Sequence, residues 1–418
     1  MIDKTVLIYD RGLYTFRAEE FAKVYKTVKY FKPDSRPYPD SIDEDMATDL
    51  KGVKRIYSFW DALKELDKDN DWIYFPDCYD GDFQTYLTEQ GYAVFGEHKA
   101  GELEMDKEVF YNHLEEVGLP VPFTFIAYNL DECIEYLEDK EDKWLKPANS
   151  FARGDFETYH FVNMNQAMPW FNHLKGKLGM RCSDLKILIQ DPVEAVCEFG
   201  YDGFSVDGVC LEGAMGGYEI KDKGIICRVF PETPKIVKSI NDKLCGILGE
   251  KGCQGHWSTE LRITKKGVAY FIDPTLRSPS PPGELFDVMY KNYPEACEEI
   301  ARGRVPKLEM RHRYGTELML YSAWYEEHEL CVEFPKEIAP YVKLKNHNRR
   351  GDCYYCTPND NDGYFGAIVF AGESVKQCTK KVMEMIGKIK AAQLEYDSST
   401  FDKAEEQIKG GEAFGIHF

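Results

Sequence analysis

Between Val6 and Phe95 short apolar runs alternate with amphipathic stretches: Val6-Leu-Ile-Tyr9, a helix-like run from Tyr14 to Phe31, Arg55-Ile-Tyr-Ser-Phe59, Trp72-Ile-Tyr-Phe75, a helix pattern from Phe83 to Glu89, then Ala93-Val-Phe95. Strands separated by helices cannot close as tight hairpins, so this pattern predicts a small parallel sheet of the α/β class. Open sheets of that kind bind ligands in the loops after their strands, which singles out Asp10-Arg-Gly12 and Pro76-Asp-Cys-Tyr-Asp-Gly81. Neither loop is a glycine-rich phosphate cradle, and polar turns of this composition also occur without any ligand. No Gly-x-Gly-x-x-Gly follows the first strand, which argues against a dinucleotide-dependent oxidoreductase.

A chain of 418 residues, 43% of them apolar and 14% aromatic, can bury real cores in two or three domains of about 150 residues. The 52 basic and 72 acidic side chains leave a formal charge of −20, which argues against broad contact with nucleic acid or an anionic membrane. An anionic ligand must therefore be met locally. No apolar run reaches the ~18 residues of a membrane span, and the chain opens directly into a strand, so a cytoplasmic location is expected. Thirteen scattered cysteines suit reduced, mostly buried thiols better than a disulfide framework. Cys353-Tyr-Tyr-Cys356 is the one close pair; without a second pair or a spaced His it is a weak zinc or redox signal.

Further along, a helix pattern from Glu102 to Val117 ends at Gly118, and strand-like Pro122–Ile126 opens a second module. A helix from Leu130 to Leu137, Trp144-Leu-Lys146-Pro147, a small-residue loop from Ala148 to Asp155, and Leu185 to Val193 follow. Strand patterns then dominate, through Glu198-Phe-Gly-Tyr-Asp-Gly and the turn at Met215-Gly-Gly-Tyr218. From residue 305 another α/β stretch closes with Gly366-Ala-Ile-Val-Phe370 and a helix from Ser374 to about Lys390.

The segment from Glu260 to Arg277 carries the chemistry. A Thr-Lys-Lys-Gly turn joins two short apolar runs, so Glu260 and Asp273 are expected on neighbouring strands and on one face of a hairpin. Hard oxygen ligands without Cys or His favour Mg²⁺ shared with substrate phosphates. Thr275 can add a third oxygen, and Arg277 can face a phosphate through its fork of donors. A surface hairpin with solvated charges has the same composition.

The order Ala100–Lys107, Trp144-Leu-Lys146-Pro147, Ile187–Gln190, Glu198, Glu260 and Asp273 resembles that of the ATP-grasp ligases, and among them phosphoribosylamine-glycine ligase. Trp72–Pro76 with Gly91–Gly96, Glu102–Phe110 and Gly366–Gly372 carry the same likeness. The resemblance implies a Rossmann-like domain over residues 1–97, a two-part ATP-grasp module over 98–304 (98–184 and 185–304), and a small C-terminal α/β domain over 305–418. It implies ATP and Mg²⁺, with Mn²⁺ able to replace Mg²⁺. Lys107 and Lys146 match the phosphate lysines, Gln190, Asp191 and Val193 the adenine hinge, and Glu198 the ribose carboxylate. Glu260, Asp273 and Thr275 match the metal ligands, and Arg277 the arginine that neutralises an acyl phosphate. Gly216, Gly217 and Arg228 lie close enough in sequence to be substrate contacts, and Arg153 stands in a loop that replaces the family's glycine-rich lid. The implied reaction joins a small-molecule carboxylate to an amine through an acyl phosphate, with ADP and phosphate released.

The first-domain phosphosugar loops of that ligase are absent here, replaced by Asp10–Arg17 and the acidic Pro76–Asp80, which favours a neutral or amine-bearing co-substrate over phosphoribosylamine. A kinase in the same nucleotide cradle, or a nucleotide-binding protein without turnover, fits the same residues.

Overall fold

The computed structural model describes residues 1–33, 46–148, 158–358 and 363–418. β1 (Ile2–Tyr9), β2 (Tyr25–Phe31), β3 (Val53–Ile56), β4 (Trp72–Tyr74) and β5 (Ala93–Phe95) form a parallel sheet in the order β3-β2-β1-β4-β5. The expected helix from Tyr14 to Phe31 is only half helix. It runs from Thr15 to Phe21, and the remainder is β2. Tyr25-Lys-Thr-Val-Lys-Tyr-Phe31 is rich in β-branched and aromatic residues, and pairing along β1 rewards that composition more than a longer helix could.

A second sheet, β6 (Thr124–Ala127), β7 (Lys143–Pro147), β8 (Tyr159–Phe161) and β9 (Ile187–Gln190), runs in the order β6-β9-β7-β8. Its own core is formed by the helices Leu130–Leu137 and Met164–Leu178. The helix expected from Glu102 to Val117 breaks at Asp106 into Glu102–Met105 and Lys107–Glu116. Asp106 takes an extended conformation and accepts hydrogen bonds from the Glu108 and Val109 amides at 3.0 and 3.3 Å, which starts the second helix and puts Lys107 in its first turn.

The third sheet has ten strands: β10 (Cys197–Val206), β11 (Val209–Cys210), β12 (Met215–Ile220), β13 (Gly224–Val229), β14 (Gln254–Ile263), β15 (Ala269–Thr275), β16 (Tyr314–Ser322), β18 (Val342–Leu344), β21 (Tyr364–Gly372) and β23 (Leu394–Glu395). Its main order is β15-β14-β10-β12-β13-β16-β21-β18, so strands on both sides of residue 304 share one ladder. A small sheet, β19-β20-β17-β22, is made of β17 (Leu330–Glu333), β19 (His347–Arg350), β20 (Cys353–Cys356) and β22 (Lys390–Ala391). One face of the large sheet packs on the first sheet through Phe95, Phe204, Phe286 and Tyr293; its opposite face carries the helices Lys235–Glu250, Val375–Ile386 and Thr400–Glu412. No helix among the described residues is long and apolar enough to cross a membrane.

Candidate active site

β14 and β15 pair in antiparallel register with Glu260 directly opposite Asp273 and Ser258 opposite Thr275. The helix Lys107–Glu116 crosses this hairpin, so that Lys107 forms an ion pair with Asp273. From β7, Lys146 reaches the same place: its Nζ donates to Ile272 O at 3.1 Å and to Tyr111 Oη at 3.3 Å. Tyr111 donates to Ile272 O at 2.8 Å, with Gln190 Oε1 at 3.2 Å. Three elements distant in sequence thus converge on two carboxylates.

Burial sets the charge states here. Lys146, only 5% exposed, has its ammonium pushed down by burial, and Asp273 and Glu260 partly restore it. Burial works to raise the Asp273 carboxyl, but Lys107, Lys146 and Arg277 outweigh it and hold it below its usual range. Glu260 goes the other way. Burial, together with Glu198 and Asp273, pushes it well up. Glu198 feels burial too, but hydrogen bonding from Glu260 and its 2.8 Å ion pair with Arg262 keep it low. Within this coupled pair Glu260 is thus the carboxyl biased toward its neutral form and Glu198 the one biased toward its ionised form.

These groups face a pocket of about 280 Å³ between the second sheet and the large one. Lys146, Gln190, Asp191, Val193, Glu198, Glu260, Asp273, Thr275 and Arg277 all line it. Asp191 is paired with Lys143 at 2.6 Å, and Arg277 with Glu104 at 3.0 Å, while Glu104 also accepts from the Leu276 amide at 2.6 Å. Glu104, ahead of opposing burial, raises Arg277 well above its ordinary value, so it is a fixed cation.

Some expected residues lie elsewhere. On the large sheet side chains alternate between faces, and Glu198, Gly200 and Asp202 line the pocket from β10. Gly216 sits opposite Tyr201 and therefore faces away; a Cβ there would meet the rings of Phe199 and Phe230. Arg228, opposite Gly216, points to the same far side, where it donates to His417 O and lies over the Phe230 ring at 4.5 Å. Gly217 has the right parity, yet its space is closed by Ile225 and Cys227 and it does not line the pocket. Arg153 and the loop around it fall outside the described residues.

The first-domain loops have their own partners. Asp80 pairs with Arg11 at 2.8 Å, Asp10 accepts from the Tyr14 amide at 3.0 Å and from Tyr30 Oη at 2.7 Å, and Asp77 caps the Cys78 amide at 2.9 Å. Among the described residues of these loops only Asp80 has a cationic partner; burial raises Asp10 above its ordinary value and, against the nearby Arg277, raises Asp77 to about 6.

Sequence reasoning passed over Tyr111, Arg262, Asp202, Ser258 and Glu219. Asp202 was accessible to it, because a two-residue step from Glu198 passes through Gly200 to Asp202. Burial raises Asp202 to about 7 and, with help from Asp202, Asp222 and Glu198, raises Glu219 to about 8.

No protein-family model matches the sequence. No curated protein sequence matches it either. Solved structures do. Phosphoribosylamine–glycine ligase from Thermotoga maritima superposes with a TM-score of 0.68 at 17% identity, over 94% of this chain and 99% of that one. The biotin carboxylase domain of the Hydrogenobacter thermophilus 2-oxoglutarate carboxylase, solved with MgADP, ADP and bicarbonate, gives 0.68 at 12% identity over 97% and 99%. L-amino acid ligase from Bacillus licheniformis gives 0.62 at 15% identity over 95% and 99%. Over 94–97% of its length the chain shares the fold of these three proteins, in keeping with its resemblance to the ATP-grasp ligases.

Proposed function

We propose that the pocket binds ATP with Mg²⁺ and joins a small-molecule carboxylate to an amine through an acyl phosphate, releasing ADP and phosphate. The observation that carries this reading is the convergence of Lys146, Glu198, Glu260, Asp273 and Arg277, drawn from four strands and a strand-exit loop, on one cleft between two sheets. Lys107 and Lys146 would hold the phosphates, the Gln190–Val193 segment the adenine, and Glu198 the ribose. Lys107 reaches this site by way of Asp273. A bound ribose would compete with Arg262 for Glu198.

The donor set fits a hard divalent cation. Glu260 and Asp273 oppose each other with Thr275 two residues on, so the hairpin offers oxygen donors on adjacent strands. Mg²⁺ there would neutralise charge on the transferring phosphoryl group. The protein's own contribution is positional: Asp273 is held ionised, Lys146 offers a buried donor beside it, and Arg277, fixed by Glu104, offers a cation to the carboxylate being activated. No side-chain nucleophile is required.

The test is a screen of amino acids and other carboxylates, with and without amines, for ATP-dependent phosphate release. Ligation predicts phosphate formation that depends on both partners and an amide in the product. A phosphorylated product that accumulates without an amine would show a kinase instead, and no adenine nucleotide binding at all would remove the proposal.

A further inference from the structure

The motif Cys353-Tyr-Tyr-Cys356 comes apart in the fold. Cys356 is buried in the hydrophobic core, opposite Leu330, whereas Cys353, an odd number of residues away, lies on the other face of the small sheet. On that outer face β17 and β20 bring Cys331, Glu333 and Cys353 together, and one ligand atom from each lies within 4.8 Å of the others. Among the described residues no other three His, Cys, Asp or Glu side chains meet this condition. Cys353 therefore meets Cys331, from a different strand, rather than Cys356.

We propose that Cys331, Glu333 and Cys353 form a binding site for a thiophilic divalent cation of the Zn²⁺ class, with the fourth position left to solvent. Two soft sulfurs and one carboxylate select Zn²⁺ over Mg²⁺, which takes oxygen ligands only. A Zn–S bond of about 2.3 Å places two thiolates about 3.8 Å apart at the tetrahedral angle, so separations of up to 4.8 Å close by small side-chain rotations.

A disulfide is the competing use of two neighbouring thiols, and the register disfavours it. Cys331 stands opposite Tyr355, so Cys353 is its diagonal neighbour, two residues off. Diagonal Cα atoms across an antiparallel pair are roughly 7–8 Å apart, at or past the roughly 7 Å limit for a bridge without backbone movement. A metal ion spans that distance where a sulfur–sulfur bond strains.

Charge also fits. Two thiolates and a carboxylate carry three negative charges, and the ladder sets Lys390 opposite Glu333 on the same face, while Arg350, opposite Cys353, pairs with Glu329 at 2.7 Å. All three ligands retain solvent access, so an ion can enter. Thiols bind a metal as thiolates, so uptake expels protons.

The experiment uses reduced, chelator-stripped full-length protein in excess Mg²⁺, titrated with Zn²⁺ against a chromophoric chelator and with Cd²⁺ while the thiolate-to-metal absorption is read. One equivalent should bind, with proton release. C331S and C353S should each weaken binding at least tenfold and remove half or more of the absorption, and E333Q should weaken it less. C245S, on a helix of the large sheet, is the control that should bind like the parent. Because the ligands lie on an exposed face, circular dichroism should show all variants folded; should one cysteine variant misfold, the other decides. Unchanged binding in the folded C331S or C353S protein, or no uptake by the parent, overturns the proposal. Nucleotide binding is read separately and does not enter this outcome.

Discussion

The pocket of the large sheet and the loop cluster of the first sheet are both rich in carboxylates, and they spend them differently. Around the first sheet Asp80 pairs with Arg11, while Asp10 and Asp77 accept hydrogen bonds from Tyr30 and backbone amides and are raised by burial, Asp77 to about 6. In the pocket, Asp202 and Glu219 are raised by burial to about 7 and about 8, and burial with Glu198 pushes Glu260 well up. Composition does not distinguish these regions, and burial raises carboxyls in both; the pocket differs in bringing Lys146, Glu198, Glu260, Asp273 and Arg277 to one cleft. A site built for a cation and a polyphosphate has to leave charge unmet until they arrive, at a cost in stability that a purely structural cluster avoids.

The largest break of this contrast is E260Q. It keeps the shape and the shared hydrogen bond with Glu198 but cannot ionise for a cation. ADP formation should fall by roughly 10³-fold or more, while the thermal midpoint stays level or rises. Parent-like turnover in E260Q would refute the metal assignment. Next in size is K146A, which removes a buried donor beside Asp273. It should weaken ATP binding or turnover by about 10²-fold, with Lys107 still pairing Asp273, as read by calorimetry and steady-state kinetics.

The pocket's unmet charge should also be visible as pH dependence without any ligand. Asp202 has its carboxyl raised from 3.8 to about 7, so the native state binds more protons than the unfolded chain between those values. Stability should therefore fall as pH rises through that window and level off above it. D202N should flatten the decline, gaining on the order of 1–3 kcal/mol relative to the parent at pH 8 and nothing near pH 3. Denaturant melts across pH read this directly, and parallel curves for the two proteins would show that Asp202 is already compensated.

How much of this was legible in the chain follows the distance between partners. Glu260 and Asp273 could be placed together because a hairpin is a local object and its turn is written between them. Lys146 meeting Ile272 O and Tyr111 involves separations of 126 and 35 residues, and the pairing of Arg11 with Asp80 spans 69. No periodicity reports such contacts. The same limit explains Tyr14–Phe31, where the half-strand β2 is decided by its neighbour β1 rather than by its own pattern. Arg228 and Gly216 show a subtler limit: they sit in the right strands but on the wrong face, and parity becomes readable only once the register to β10 is known.

Smaller effects test the other side of the comparison. D80N breaks a partly shielded ion pair, so it should cost about 1 kcal/mol of stability and leave the Michaelis constant for ATP within about twofold. A tenfold change in that constant would mean the first-sheet loops take part in nucleotide binding after all.

The smallest expected change on activity comes from Arg228. Its guanidinium is occupied with His417 O and the Phe230 ring on the face turned away from the pocket, so R228A should lose packing and one charge-assisted hydrogen bond. That amounts to about 1–2 kcal/mol of stability, felt mainly where the chain's last residues dock, since the loss leaves a backbone carbonyl without its donor. Turnover with saturating ATP should stay within about twofold of the parent, because no pocket side chain touches Arg228. Comparing R228A with E260Q in one kinetic and melting experiment separates the two faces of a single sheet. Residues three strands apart on opposite faces of one sheet should then fall into opposite classes, one that moves rate without stability and one that moves stability without rate.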